Sequence, residues 1–214
     1  MSWLLALHST GPGLGVAAHR LDGAEPDRLQ HFELGRDLSN GLLDCVEAVL
    51  PGAAWPDLVR LAVAIGPGGF TATRLTVVLA RTLAQQLAVP LDGVGSFQLI
   101  ARRLALPAPA WLVQELPRRG VVAGLYGPDP GALGGLGEWC APRLYPDIEA
   151  IRTAATPTAP GAPTAEPPLL PACVDVLADV RQLLDLATLA HGHGLPGPWQ
   201  PVLPVYPTSP VASV

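Results

Sequence analysis

The run Ala64-Ile65-Gly66-Pro67-Gly68-Gly69-Phe70-Thr71-Ala72-Thr73-Arg74-Leu75 constrains this chain more than any other stretch, because it carries a strand into a helix through a glycine-rich turn. Leu58 to Ile65 is an apolar run of strand length, and Thr71 to Leu87 places Leu75, Val78, Leu79, Leu83 and Leu87 at helical spacing. At such a junction α/β proteins present backbone N–H groups to anions or to partner surfaces. Gly66, Gly68 and Gly69 supply positive φ or close backbone approach, Pro67 stiffens the turn, and Thr71 is the expected helix N-cap. Gly68 is the position expected to need φ > 0 and to tolerate a β-branched side chain least. Taken alone, the loop fits a simple strand–helix connection equally well.

Its neighbours narrow the reading. The chain continues as Val89-Pro90-Leu91-Asp92-Gly93-Val94-Gly95-Ser96-Phe97-Gln98-Leu99-Ile100-Ala101, a second short strand that enters another helix at Gly95-Ser96. This order, with G-P-G-G-F-T-x-x-R-L followed at this distance by V-P-L-D-G-V-G-S-F, resembles the TsaB (YeaZ-like) family, whose runs read G-P-G-S-F-T-G-L-R and P-x-x-G-V-S-S-L. The resemblance is strong over residues 58–105, weaker over the N-terminal strands and faint afterwards. It implies an α/β fold of the ASKHA type (actin/sugar kinase-like, ribonuclease H-like), in two lobes of which the second is short and divergent.

The chain of 214 residues is long enough for one large domain or two small lobes. We expect an N-terminal lobe over 1–105 and a C-terminal lobe over 106–214. In the first lobe, Ser2–Leu7, Leu14–Ala18 and Leu29–Leu34 read as strands and Asp37–Leu50 as an amphipathic helix capped by Asp37 or Ser39. In the second, Ala110–Glu115 and Val121–Tyr126 read as strands, 127–137 as glycine-rich, and Ala172–His191 as a helix. Residues 153–171, rich in Ala, Pro and Thr, are expected to form a flexible loop, and Val202–Tyr206 resembles the P-x-Y strand near the end of TsaB chains.

Charge bears on what the chain can hold. The net charge is −5, against a broad basic surface for RNA, and all 13 basic residues are arginine. Without lysine, a Walker-type phosphate lysine and Schiff-base chemistry are excluded. Cys45, Cys140 and Cys173 are too few and too scattered for a disulfide framework or a zinc knuckle, and are expected to be buried thiols. No apolar run approaches the roughly 20 residues of a membrane span, and Met1-Ser2-Trp3 lacks a basic leader, so a cytoplasmic location without membrane contact is expected.

Candidate chemistry is sparse. His191-Gly192-His193 lacks a third ligand, and none of His8, His19, His31, His191 and His193 forms the H-x-x-x-H pair of the related catalytic subunit TsaD, so no metal site is expected. His8-Ser9-Thr10 stands where the resemblance implies an acidic first phosphate turn, and histidine there cannot serve magnesium as a hard oxygen ligand. Glu115-Leu116-Pro117-Arg118-Arg119 occupies the second turn in a shifted frame. Ser9, Ser96 and Thr71 have no positioned base, and a G-x-S-x-G elbow is absent, which leaves a peptidase without a constellation. No catalytic residue and no cofactor are assigned.

The resemblance therefore implies a non-catalytic accessory subunit. It would support a TsaD-like synthase, with a TsaE-like ATPase as a further partner, in forming N6-threonylcarbamoyladenosine (t6A) at A37 of ANN-decoding tRNAs. The tRNA would be met only through the complex, and the chain alone would form a homodimer. A stand-alone small ASKHA ATPase or kinase is the alternative, and the peptidase ranks below it. Partner contacts are expected at Leu42, Val46 and Val49 on the first helix and at Arg74, Val77, Leu83 and Leu87 on the second, while Gly66, Pro67, Gly68, Gly69, Phe70 and Thr71 fix the pitch of the latter.

Overall fold

The computed structural model describes residues 1–154 and 166–207. Strands β1 (Trp3–His8), β2 (Leu14–Arg20) and β3 (Arg28–Phe32) form an antiparallel meander. Helix α1 (Leu38–Val49) then carries the chain to β4 (Leu58–Ala64), parallel to β1, and α2 (Phe70–Leu87) carries it to β5 (Leu91–Val94), parallel to β4. The resulting sheet order is β3-β2-β1-β4-β5. Three antiparallel strands followed by parallel crossovers is the order expected for an ASKHA lobe, and the fold is of that type.

Alternation along β1 sorts the two faces of this sheet. Trp3, Leu5 and Leu7 pack with Val46 and Val49 of α1 and Val77, Ala80 and Leu83 of α2. Leu4 and Ala6 face the other way, with Ala17, Ala62 and Ala64, against α5 (Val176–Gly192) through Val180, Leu183, Leu184 and Ala187. The alanines let α5 lie close to the strands. This C-terminal helix returns from the second half of the chain to cover the first sheet.

The second sheet has the order β8-β7-β6-β9, from β6 (Ala110–Leu116), β7 (Gly120–Pro128), β8 (Leu136–Tyr145) and β9 (Leu169–Pro171). Helix α3 (Ser96–Arg103) wedges between the sheets: Phe97 and Ile100 enter the core of the second, and Leu99 enters the α5 side of the first. Helix α4 (Ile148–Arg152) covers the opposite face of the second sheet through Ile151. Arg103 Nε donates to Asp179 Oδ1 at 2.7 Å and its Nη2 to the Cys173 carbonyl at 2.6 Å, tying α3 to the start of α5. Burial raises the Asp179 carboxyl above its ordinary range, although Arg103 opposes the shift.

Several expectations are corrected here. Helix α2 begins at Phe70 with Gly69 as N-cap, so Thr71 lies inside the first turn and no side chain caps the helix. Of the expected loop 153–171, residues 155–165 lie outside the described residues, but Leu169–Pro171 forms β9, parallel to β6 at the sheet edge, where proline costs no ladder bond. Strand β8 follows a turn in which Gly134 and Gly135 both have positive φ, inside the stretch expected only to be glycine-rich. Residues 202–206 are not a strand; one bond, Val205 N–H to the Ile65 carbonyl at 2.7 Å, holds them to the end of β4. Cys173 is exposed and Cys140 half-buried, so only Cys45 is the buried thiol expected. Among the described residues no helix is long and apolar enough to cross a membrane.

Candidate functional site

The ends of β1, β4 and β5 converge with the tail and the β6–β7 hairpin, and this junction is the candidate site. The glycine loop is held by three hydrogen bonds, with Thr10 and Ser96. Gly69 N–H donates to the Thr10 carbonyl at 3.1 Å, Ser96 N–H donates to the Gly66 carbonyl at 2.7 Å, and Ser96 Oγ donates to the Pro67 carbonyl at 2.5 Å. The Gly66–Pro67 bond is cis. Gly66 alone in the loop has positive φ, at 102°, and a Cβ there would meet the Val205 carbonyl oxygen. Gly68 does not have positive φ, contrary to expectation; it is glycine because any Cβ would run into the carbonyl of Thr10. Gly69 has open space around it.

The polar groups expected as first-turn chemistry are committed inward. Ser9 Oγ and Thr76 Oγ1 are 2.7 Å apart, and Thr10 Oγ1 and His8 Nε2 are 3.2 Å apart, all buried. Ser9 and Ser96 are thus structural hydrogen-bonding groups. Among the described residues no cluster of three His, Cys, Asp or Glu side chains is placed to hold a metal.

His8 is fully buried and its Nδ1 has no partner. Burial lowers its pKa from 6.5 to about 4. The unfolded chain therefore takes up a proton below pH 6.5 that the folded chain refuses until about pH 4. The sign is that stability is highest above pH 6.5 and falls across this window, by roughly 3 kcal/mol for this group. We expect urea midpoints measured from pH 7.5 down to 4.5 to fall less steeply in His8→Gln than in the parent; equal slopes would contradict the buried neutral imidazole.

On the second sheet, alternation separates the turn residues. Gln114 and Leu116 lie on the face that carries Leu112 toward α3, whereas Glu115 lies on the face of Trp111 and Val113. Glu115 therefore cannot supply a carboxylate to the junction. It joins Arg118, Arg119, Asp147, Glu149 and Arg152 around a neighbouring open pocket instead. Arg118 has φ 65° in the tight hairpin. Gln114 is a lining residue that the expected strand Ala110–Glu115 already contained, and its two-residue offset from Leu112 was the signal for its direction.

The residues expected at a partner surface separate sharply. Leu42, Val46, Val49, Val77 and Leu83 pack into the chain's own core against the first sheet, with Val46 0 % and Leu83 9 % exposed. They occupy the stripe that any sheet-packed helix must bury. Only exposed Arg74 and half-buried Leu87 reach the surface. The outward apolar positions are Leu43, 46 % exposed, and Val78, 53 % exposed, with acidic Asp44 and Glu47 on the outside of α1 and Arg74 on that of α2. Arg81, by contrast, lies over the Trp199 ring at 5.5 Å, inside the chain.

Residues 33–116 match the family of tRNA N6-adenosine threonylcarbamoyltransferase, TsaD. Over 100 residues, 46% of this chain, the sequence is 32% identical to the tRNA threonylcarbamoyladenosine biosynthesis protein TsaB of Bacillus subtilis (strain 168). That match spans 43% of the length of the relative. In fold, the chain is similar to YeaZ from Pseudomonas aeruginosa, with a TM-score of 0.70 and 21% identity over 96% of this chain and 100% of the other. It is also similar to a second Pseudomonas aeruginosa structure, an uncharacterised protein with similarity to peptidase YeaZ, with a TM-score of 0.71 and 21% identity over 97% and 100% of the two chains.

Proposed function

We propose that this chain, TsaB/YeaZ-like in sequence and fold, is a cytoplasmic, non-catalytic subunit of t6A synthesis that acts by binding a TsaD-like synthase. The observations that carry the reading are the 32% identity to a TsaB over 100 residues and the match of residues 33–116, which hold α1, the glycine loop and α2, to the TsaD family. The site's chemistry supports a scaffold over an enzyme. The first turn offers buried His8 where a magnesium-organising carboxylate would stand, and Glu115 faces away from the junction. A stand-alone ATPase or kinase would need at least one of those carboxylates at the junction. A net charge of −5 supports contact with tRNA through the complex rather than by this chain alone.

The partner surface is the outer side of α1 and α2. Leu43 and Val78 supply apolar contact, and Asp44 and Glu47 on one helix with Arg74 on the other provide opposite charges for a related helix pair on a partner or a second copy. A TsaE-like ATPase is a further partner in this reading. The double change Leu43→Glu with Val78→Glu is expected to leave a cooperatively folded monomer that no longer self-associates and no longer co-purifies with its TsaD-like subunit. Light scattering and affinity purification check it, and a double variant that stays dimeric and retains the partner would overturn the placement.

A further inference from the structure

Between the glycine loop, the β6–β7 hairpin and residues 205–207 lies a cavity of 410 Å³. One side is aromatic, with the Phe70 and Tyr206 rings 4.7 Å apart and tilted by 38°. Leu116, Val122 and Val205 add apolar surface. Among the described residues that line it, Arg119 is the only charged one, and Gln114 contributes the one side-chain amide. Among the described residues Arg119 also has no carboxylate within ion-pair distance. The cavity thus combines an apolar, partly aromatic body with a single guanidinium, at the border with the neighbouring pocket, that makes no ion pair among the described residues.

We propose that this cavity binds a small planar monocarboxylate, its ring against Phe70 and Tyr206 and its carboxylate on Arg119 and Gln114. A guanidinium fork matches a carboxylate with two parallel hydrogen bonds, and one positive charge balances one negative charge. A dianion would carry a second charge into a partly apolar site where, among the described residues, Arg119 is the only charged lining group and no lysine exists to add another. A cation would be repelled by Arg119. The volume, near the lower end of roughly 300–1,000 Å³ for small-molecule sites, suits one or two fused rings with a short acidic arm. Gly66 and Gly68 are required by close backbone contacts behind the cavity wall, which makes the wall a formed surface in the free chain. The inference does not depend on the partner proposed above.

A matched set of probes tests it on the full chain by titration calorimetry: 1-naphthylacetate, the uncharged 1-naphthylacetamide, and 1-naphthyl phosphate at a pH where it is a dianion. The acetate is expected to bind with a Kd below about 1 mM, at least about tenfold more tightly than either of the others. Arg119→Gln, a change at an exposed position, is expected to remove the preference for the acid over the amide while leaving the melting curve unchanged. Tyr206→Ala is expected to weaken acid and amide alike. Equal binding of acid and amide, tighter binding of the phosphate, no binding of the acetate, or an acid preference that survives Arg119→Gln would each overturn the proposal.

Discussion

Val46→Glu is expected to unfold most of the chain. Val46 is fully buried where α1 meets the first sheet, among Leu5, Leu7, Val49 and Val77. A glutamate there must bury an unpaired charge or take up a proton and still overfill the site, at a cost exceeding about 4 kcal/mol. That is a large share of the roughly 5–15 kcal/mol that holds a typical domain. Circular dichroism in urea is expected to show a chain with little or no native baseline at neutral pH. A Val46→Glu protein with native-like unfolding would mean that α1 turns this face outward, and would restore Val46 to the partner surface. Leu83→Glu on α2 carries the same expectation for the same reason.

Arg60→Met is expected to destabilise the chain by about 3–5 kcal/mol. Arg60 is a fully buried arginine on β4: its Nε and Nη2 donate to the two carboxylate oxygens of Asp92 at 2.7 and 2.8 Å, and its Nη1 donates to the Leu195 carbonyl at 2.9 Å. Methionine fills part of the volume but leaves the Asp92 charge and the Leu195 carbonyl without their partner. The same change frees the stretch after α5, because Leu91 N–H bonds the Gly197 carbonyl beside this network. Proteolysis under native conditions is therefore expected to begin in residues 195–207 in the variant. An Arg60→Met protein with parental urea midpoint and parental protease resistance would show that the network carries no such weight. Arg60→Met with Asp92→Leu, which removes both charges together, is expected to recover part of the loss.

How far the residues alone led depends on the kind of signal. Strand β1, strand β4 and helices α1 and α2 were legible because their apolar spacing is long and regular and glycine or proline marks their ends. Strand β8 was not, since Gly137 and Pro142 break its alternation and four of its ten residues are exposed at a sheet edge. The three-residue β9 is too short to carry a period at all. Leu42, Val46, Val77 and Leu83, expected from the sequence to meet a partner, are buried in the chain's own core. A helix packed on a sheet needs such positions for its buried stripe, and Leu43 and Val78 are apolar positions that fall outside it. Gly68 shows a related limit. Its need for glycine comes from the carbonyl of Thr10, far away in sequence, and not from its own dihedral angle. Contacts of that kind leave no local pattern, and the return of α5 and residues 199–205 to the first sheet leaves none either.

The proposed role, binding of a TsaD-like synthase in t6A synthesis, is open to a direct test in cells. In a bacterial strain depleted of its own TsaB, co-expression of this chain with its cognate TsaD-like subunit is expected to restore t6A in bulk tRNA, read by mass spectrometry of nuclease-digested tRNA. The Leu43→Glu, Val78→Glu double variant, expressed at the same level with the same subunit, is expected to leave t6A at the depleted level. Tests with either protein alone set the baseline. No recovery of t6A by the parental chain with its cognate partner, both shown to be folded and present, would contradict the function and leave only the fold.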